Sequence, residues 1–196
     1  MQYAIIGAGG TGGVVGYFMT KAGKDVTLIA RGRHLEAMKK HGLTLERLWD
    51  PNPETIDVKA TDMEHYEEHP DVILVCVKGY SLEDTVPFIR RVAKPDTIVI
   101  PILNIYGTGA KLQKELPELL VTDGCIYVSA NIKEPGVLLQ HGKILRIVYG
   151  VREKAEERPE LEQIRQDFTD SSIDGILSEN IRREALEKFS YVSPIG

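Results

Sequence analysis

Short apolar runs alternate with helix-like periodic segments through the first 130 residues. Continuous apolar runs, the pattern of strands buried on both faces, occupy residues 3–6, 26–29 and 71–78. Apolar residues at helical spacing follow the first run, at Val14, Val15, Phe18 and Met19. Further strands are predicted at 97–103 and 121–129, and further helices at 33–41, 81–89 and 108–116. The alternation predicts an α/β fold, Rossmann-like and doubly wound, around a mostly parallel sheet.

The pattern changes after residue 130. Two apolar runs at 137–140 and 144–148 are separated by His141-Gly142-Lys143, which predicts an antiparallel hairpin near the C-terminal end of the fold. An amphipathic helix around 161–168, a short strand at 173–177 and a trailing helix at 181–189 are predicted to follow. We predict a nucleotide-binding domain over residues 1–178 and the first helix of a second, helical domain over 179–196.

A glycine-rich stretch follows the first predicted strand and opens the first predicted helix. Its members are Gly7, Ala8, Gly9, Gly10, Thr11 and Gly12. The G-x-G-x-x-G spacing in a strand–turn–helix context is typical of dinucleotide binding, because the backbone can approach a pyrophosphate at the helix N-terminus. The alternative is a glycine-rich turn with a purely structural role. The complete β-α-β context favours a dinucleotide.

The end of the second predicted strand indicates which dinucleotide. An NAD-preferring site usually places a carboxylate there, whereas an arginine accommodates the 2′-phosphate of NADP. This chain has Arg31 at that place and no carboxylate until Glu36. Arg31 is therefore predicted to bind the 2′-phosphate, with Arg33 as a weaker accessory. The alternatives are an NAD site and a solvated loop arginine.

Polar residues follow two later predicted strands. Lys78 ends the apolar run at 71–78, and Asn104 follows the run at 97–103. Ligands of open α/β sheets bind outside the carboxyl ends of the strands, so both residues are candidates for cofactor or substrate contact. The alternatives are a lysine that simply ends its strand in water and an asparagine that only forms a turn.

Composition excludes several classes of function. The 196-residue chain has a formal net charge of −5 with interleaved basic and acidic residues, so no nucleic-acid partner is expected. Two cysteines, Cys76 and Cys125, are too few and too separated for a disulfide framework or a metal site, and are predicted to be reduced core thiols. No apolar run is long enough for a membrane span, and no basic leader precedes the first strand. We expect a cytoplasmic protein without a membrane partner.

Several motifs together resemble the ketopantoate reductase (2-dehydropantoate 2-reductase) family. They are the glycine-rich stretch at 7–12, Arg31-Gly32-Arg33-His34-Leu35, Val77-Lys78, Leu103-Asn104, the predicted hairpin, and Glu187-Lys188-Phe189. The resemblance implies NADPH-dependent reduction of 2-dehydropantoate, a 2-oxo acid, to pantoate in pantothenate biosynthesis. It assigns the proton donor to Lys188, the lining of the nicotinamide and substrate site to Lys78 and Asn104, and a cofactor contact to Ala130.

The chain departs from the family pattern in three ways. Val192 stands where the family usually has an asparagine, and Asn104 is flanked by Leu103 and Ile105 instead of glutamine and glycine. The chain ends at Gly196, so the helical domain of the family is expected to be absent and ketopantoate reduction by this chain weak. The alternatives are a reductase of another 2-oxo acid and a non-catalytic NADPH-binding fragment. An apolar face on residues 181–195 makes a homodimer possible.

Overall fold

The computed structural model describes the backbone of residues 1–192 and the side chains of residues 1–190. The strands are β1 (Gln2–Ile6), β2 (Asp25–Ile29), β3 (Leu43–Arg47), β4 (Asp50–Ile56), β5 (Lys59–Thr61), β6 (Val72–Val75), β7 (Ile98–Pro101), β8 (Leu120–Val121), β9 (Asp123–Tyr127), β10 (Ala130–Glu134), β11 (Val137–Gln140), β12 (Arg146–Gly150) and β13 (Asp174–Leu177). The helices are α1 (Gly10–Lys21), α2 (Gly32–His41), α3 (Thr85–Val92), α4 (Thr108–Glu115), α5 (Pro159–Asp170) and α6 (Ile181–Val192). None of these helices is both long and apolar enough to cross a bilayer.

A six-stranded parallel sheet organises the fold, with strand order β5-β2-β1-β6-β7-β8. Alternate residues of β1 enter two different cores, with Tyr3 and Ile5 on one face and Ala4 and Ile6 on the other. Helices α1 and α5 cover the first face, and α3 and α4 cover the second. This arrangement confirms the predicted Rossmann-like, doubly wound class, because continuous apolar strands need cover on both faces.

The predicted hairpin across residues 141–143 is wrong in its position. Strand β11 pairs antiparallel with β10 and parallel with β3, in a sheet ordered β10-β11-β3-β4. Strand β12 belongs to another sheet, ordered β13-β12-β9. The antiparallel hairpin is β10–β11, and it turns at Gly136, whose φ of +80° favours glycine. Apolar runs mark strands but carry no information about which strand each one pairs with.

The proline-rich segment at 49–53, between alternating stretches at 43–45 and 56–58, has the composition of a turn between two strands. It lies mostly within β4, and the turn is the short link between Arg47 and Asp50. Proline cannot donate to a sheet ladder and is therefore confined to edge strands. Because β4 is the edge strand of its sheet, Pro51 and Pro53 are tolerated there.

Strand β1 is tied to α5 by a buried carboxylate. The Tyr3 hydroxyl donates to Asp167 at 2.5 Å, and the Lys24 ammonium lies 2.9 Å from the same carboxylate. Burial opposes ionisation of Asp167, but the hydrogen bonds from Tyr3 and Lys24 outweigh it and hold the pKa below its usual range. The ionised form is therefore favoured in the folded chain.

Replacing Asp167 with asparagine should lower the free energy of unfolding by about 2 kcal/mol, the value of hydrogen bonds to a buried charged group. A depressed folded pKa gives stability that is present above the unfolded pKa and is lost as pH falls through the folded value. The variant should therefore also flatten the acid limb of the stability profile in urea titrations. Asp170, which is exposed and pairs with the same lysine, is the matched control. An Asp170→Asn variant as unstable as Asp167→Asn would contradict this account.

Candidate active site

Four neighbouring strands of the parallel sheet end at one edge, and each is followed by a segment singled out in the sequence. Arg31 lies two residues beyond β2, and the glycine-rich loop follows β1 directly. Lys78 follows β6, and Asn104 follows β7. The chain moves in opposite directions from β1, to β2 on one side and to β6 on the other. This reversal is the place where open α/β sheets bind their ligands.

The glycine-rich loop is tightly packed at its first and third glycines and open at its second. Gly7 has a φ of +95°, and a Cβ there would lie 3.0 Å from the Cys76 carbonyl group. A Cβ at Gly12 would lie 2.2 Å from the Gly7 carbonyl oxygen, so loop and helix approach too closely for any side chain. The Cβ position of Gly9 has nothing within 4 Å. The first and third glycines are thus required by packing, while the second borders open space.

Helix α1 begins directly at this open space. Its first turn, which includes Thr11, carries no acidic side chain, and Gly9 supplies no side-chain cap. The N–H groups of the first turn are therefore available to an anion. Gly10 lies against β10, because a Cβ there would be 2.4 Å from the Ala130 carbonyl oxygen. Ala130 thus lies beside the glycine-rich loop, and its contact with a cofactor stays a prediction.

Arg31 lies at the start of α2 in an extended conformation, with a φ of −147°. Arg31 and Arg33 are both exposed, and neither joins an ion pair in the part of the chain that the structure describes. Helix α2 carries no acidic residue in its first turn. The guanidinium of Arg31 is therefore available to a phosphate next to the end of β2.

Lys188 and Asn104, 84 residues apart, are in direct contact. The Lys188 ammonium donates to the Asn104 side-chain oxygen at 2.7 Å and to the Ile126 carbonyl oxygen. It also lies 5.0 Å from the centre of the Tyr127 ring. Lys188 is only 7% exposed, and burial lowers its pKa below the usual range. Helix α6 thus delivers a buried, strongly held ammonium to the carboxyl edge of the sheet.

A cleft opens beside this pair. Its walls are the segment 103–108 after β7, residues 123–125 of β9, and Ala185, Lys188 and Phe189 of α6. The rings of Tyr106 and Phe189 stand 6.3 Å apart between their centres. Ile105 packs over Gly79, since a Cβ at Gly79 would lie 2.1 Å from the Ile105 Cδ1 atom. Lys78 is exposed next to this contact and makes no side-chain hydrogen bond within residues 1–190.

A family model described as ketopantoate reductase PanE/ApbA matches residues 3–154. The chain belongs to the ketopantoate reductase PanE/ApbA family. Along its whole length it is 33% identical to the 2-dehydropantoate 2-reductase of Pyrococcus horikoshii. The solved 2-dehydropantoate 2-reductase from Porphyromonas gingivalis W83 matches 98% of this chain and 69% of its own, with a TM-score of 0.87 and 25% identity. A D-mandelate dehydrogenase solved with NADH and anilino(oxo)acetate matches 96% of this chain and 60% of its own, with a TM-score of 0.85 at 23% identity.

The chain matches only part of the length of its relatives in the ketopantoate reductase family. The chain spans 63% of the length of the Pyrococcus horikoshii relative. The structure describes the side chains at the departures next to Asn104, but not the one at Val192. Leu103, before Asn104, is buried, whereas Ile105, after it, is 47% exposed at the cleft. The departure at Val192 lies outside the described side chains.

Three residues near the site have no functional role that the sequence predicts. Tyr127 lies against the Lys188 ammonium. The buried Cys125 thiol, whose pKa burial raises, lines the cleft. His34, which entered only as part of a resembling motif, bonds the carbonyl oxygen of Ala8 in the glycine-rich loop. Each contact joins residues that lie far apart in the chain, so local spacing gave no signal for it.

Proposed function

We propose that this chain forms the NADPH-binding half and the proton-donor lysine of a reductase that converts 2-dehydropantoate to pantoate. The observation that carries the proposal is the buried Lys188 ammonium, held by Asn104 at the sheet edge that also presents the glycine-rich loop. Membership in a reductase family implies a nicotinamide cofactor. The choice of NADP over NAD rests on Arg31.

The residues at this edge fit such a cofactor. Gly9 leaves room for the pyrophosphate, the start of α1 offers free N–H groups, and Arg31 is available to a 2′-phosphate. Ala130 borders the same loop from the side of β10. Lys78 adds a solvated positive charge to the same edge, where it would attract the carboxylate of a 2-oxo acid.

When bound, NADPH supplies a hydride to the C2 carbonyl carbon of the substrate. Lys188 donates a proton to the carbonyl oxygen as negative charge develops there, so that the product is an alcohol. Its lowered pKa makes Lys188 a stronger acid than a free lysine at neutral pH. Asn104 accepts from the ammonium through Oδ1 and thereby aims it. The Asn104 amide N–H groups remain available to donate to the same substrate oxygen.

Arg31→Ala should remove the preference for NADPH over NADH. In the unaltered chain, NADPH should raise the melting temperature more than NADH at equal concentration, because charge-assisted bonds to the 2′-phosphate add affinity. The variant should lose about tenfold or more in NADPH affinity, the value of one such bond, and little in NADH affinity. Lys40→Ala, an exposed cation at the other end of α2, is the control and should change neither. Equal shifts for both dinucleotides with the unaltered chain would contradict the NADP assignment.

A second candidate is a reductase of a more apolar 2-oxo acid. Ile105, Tyr106 and Phe189 line the cleft, and each is between 38% and 47% exposed beside the Lys188–Asn104 pair. Such a wall favours a larger apolar substituent over the hydroxymethyl group of 2-dehydropantoate. Binding of 2-oxo acids with graded side chains to the NADPH-loaded chain separates the two candidates. Binding of NADPH without any binding or turnover of 2-oxo acids would favour the third possibility, a non-catalytic module.

The remaining expectations stay predictions. These are the division at residues 178 and 179, the cytoplasmic location, the place in pantothenate biosynthesis and the homodimer. Sedimentation of the purified chain tests the homodimer directly. Limited proteolysis that releases the segment after residue 178 from a stable core would support the domain division.

A further inference from the structure

His34 joins three segments around the glycine-rich loop. It lies in the first turn of α2, and its Nε2 atom is 2.9 Å from the Ala8 carbonyl oxygen. On the other side of the ring, the backbone N–H of Gly136 donates to Nδ1 at 3.0 Å. Gly136 is the turn glycine of the β10–β11 hairpin, 102 residues away along the chain. A single half-buried side chain thus connects the loop, the start of α2 and the hairpin.

The two hydrogen bonds fix the protonation state of the ring. The Gly136 N–H is a donor, so Nδ1 must be the unprotonated acceptor. The Ala8 oxygen is an acceptor, so Nε2 must carry the hydrogen. Burial lowers the pKa of His34, although the bond to Ala8 opposes the shift, and the neutral ring is favoured at neutral pH. Only the neutral Nε2–H tautomer makes both bonds.

The bond to Ala8 controls the direction of the next N–H group. A trans peptide points its C=O and N–H in opposite directions, and residues 1–192 contain no cis peptide. The bond from His34 to the Ala8 carbonyl oxygen holds the peptide plane between Ala8 and Gly9. The Ala8 N–H belongs to the preceding Gly7–Ala8 peptide and donates to the Ile29 carbonyl oxygen at 3.2 Å, so the peptides on both sides of the Ala8 Cα atom are anchored. The Gly9 N–H points away from His34, and it has no hydrogen-bond partner within residues 1–192.

The hairpin held by His34 also borders the loop. Ala130 of β10 packs against Gly10, and a Cβ at Gly136 would lie 3.0 Å from the Ala37 Cβ atom of α2. The Gly136 carbonyl accepts from Thr44 at 2.9 Å. The hairpin is thus seated on α2 and β3 at its turn and on α1 at its start. The bond from Gly136 to His34 therefore holds the turn of the same hairpin whose first residue, Ala130, lies against the glycine-rich loop.

We propose that His34 is a positioning residue of the dinucleotide site, which fixes the Ala8–Gly9 peptide so that the Gly9 N–H is directed at the pyrophosphate. The proposal rests on the proposed function, because it requires a dinucleotide at the glycine-rich loop. His34 itself does not touch the ligand. It acts through the Ala8 carbonyl, and it secures the hairpin through Gly136.

Three substitutions separate the two bonds of the ring. His34→Gln places an amide where Nε2 stands and retains a donor for Ala8, and His34→Asn places an oxygen where Nδ1 stands and retains an acceptor for Gly136. His34→Ala retains neither. Measured well below the melting temperature, the Kd for NADPH should rise about tenfold in His34→Ala and in His34→Asn. It should stay within about threefold in His34→Gln, since one hydrogen bond changes affinity by several-fold.

His69→Ala is the matched control. The Nδ1 atom of His69 lies 2.9 Å from the Val92 carbonyl oxygen, away from the loop, so this variant should keep the Kd for NADPH unchanged. A merely structural role of His34 would lower the melting temperature of all three His34 variants without a Kd difference between glutamine and asparagine. Equal Kd values for the unaltered chain and His34→Ala would overturn the inference alone. Failure of the unaltered chain to bind NADPH would overturn the proposed function and this inference with it.

The ring can also be examined without a ligand. The ¹⁵N NMR spectrum of the chain should show His34 as the neutral Nε2–H tautomer at pH 7. An Nδ1–H tautomer or a protonated ring at that pH would overturn the inference, because neither makes both bonds.

Discussion

Gly9→Ala should leave the fold intact and abolish tight NADPH binding. Gly9 has a φ of −77°, which alanine adopts freely, and an added Cβ would meet nothing within 4 Å. The apo chain should therefore unfold at nearly the same urea concentration as before. The new methyl group would, however, stand where the backbone must approach the pyrophosphate. Loss of that approach should raise the Kd for NADPH roughly 100-fold, since hydrogen bonds to a charged group are worth about 1.5–3 kcal/mol each.

Two further alanine variants make this result specific. Gly12→Ala should lower the unfolding free energy by about 3 kcal/mol, because its Cβ would lie 2.2 Å from the Gly7 carbonyl oxygen and force loop and helix apart. Gly142→Ala is the matched control, since Gly142 also has nothing within 4 Å of its Cβ position but lies outside the site. It should change neither stability nor the Kd. NADPH binding by Gly9→Ala with an unchanged Kd would contradict the placement of the pyrophosphate at this loop.

The residues at the carboxyl edge of the sheet could be predicted from the sequence, because each one directly follows a strand that the local apolar pattern marks. Each buried parallel strand is a continuous apolar run, and the first polar residue after it must emerge at the same edge. This is why the glycine-rich loop, Arg31, Lys78 and Asn104 were placed at the ends of neighbouring strands. Their roles in binding stay predictions, but their position follows from the strand pattern alone.

Strand pairing beyond residue 130 could not be predicted in this way. The apolar pattern at 144–148 would be the same with the preceding strand, β11, as its partner. In the structure this run forms β12, which pairs with β9, two strands before β11 in the chain. The Pro135-Gly136 turn has the stronger hairpin chemistry, yet Ala130–Glu134 is largely exposed and gives almost no apolar signal. An edge strand needs only one paired side, so its side chains are poorly constrained by burial.

The side-chain contacts of Lys188 and His34 could not be predicted from the neighbouring sequence either. Lys188 had a candidate role only through its family resemblance, since lysine within Glu187-Lys188-Phe189 is typical of an exposed helix. Its burial arises because α6 packs on β9, which brings it to Asn104 and Ile126. His34 lies in a segment rich in exposed cations and shows no periodic signal. Both contacts join residues far apart in sequence, and only the tertiary fold produces them.

Lys188→Met should reduce ketopantoate-dependent NADPH oxidation by about 10²- to 10⁴-fold, the usual contribution of a general acid. Methionine keeps an unbranched side chain in the same buried space but has no proton to give. NADPH affinity should be unchanged, because Lys188 contacts Asn104, Ile126 and Tyr127 and no atom of the glycine-rich loop. Single-turnover measurements at high enzyme concentration suit a chain that covers 63% of its relative and was expected to be weakly active.

A second measurement on Lys188 does not depend on turnover. The folded pKa of Lys188 is lowered by burial, so the unfolded chain binds more protons between that value and the ordinary lysine value of about 10.4. Stability should therefore rise with pH across this window, and the burial cost should be fully present below it. Lys188→Met should flatten the rise, whereas Lys143→Met, at a position outside the cleft, should retain it. A stability profile that is the same in the Lys188→Met variant would mean that the ammonium is not held in the buried position beside Asn104. The proton donor would then have to be sought elsewhere at this edge of the sheet.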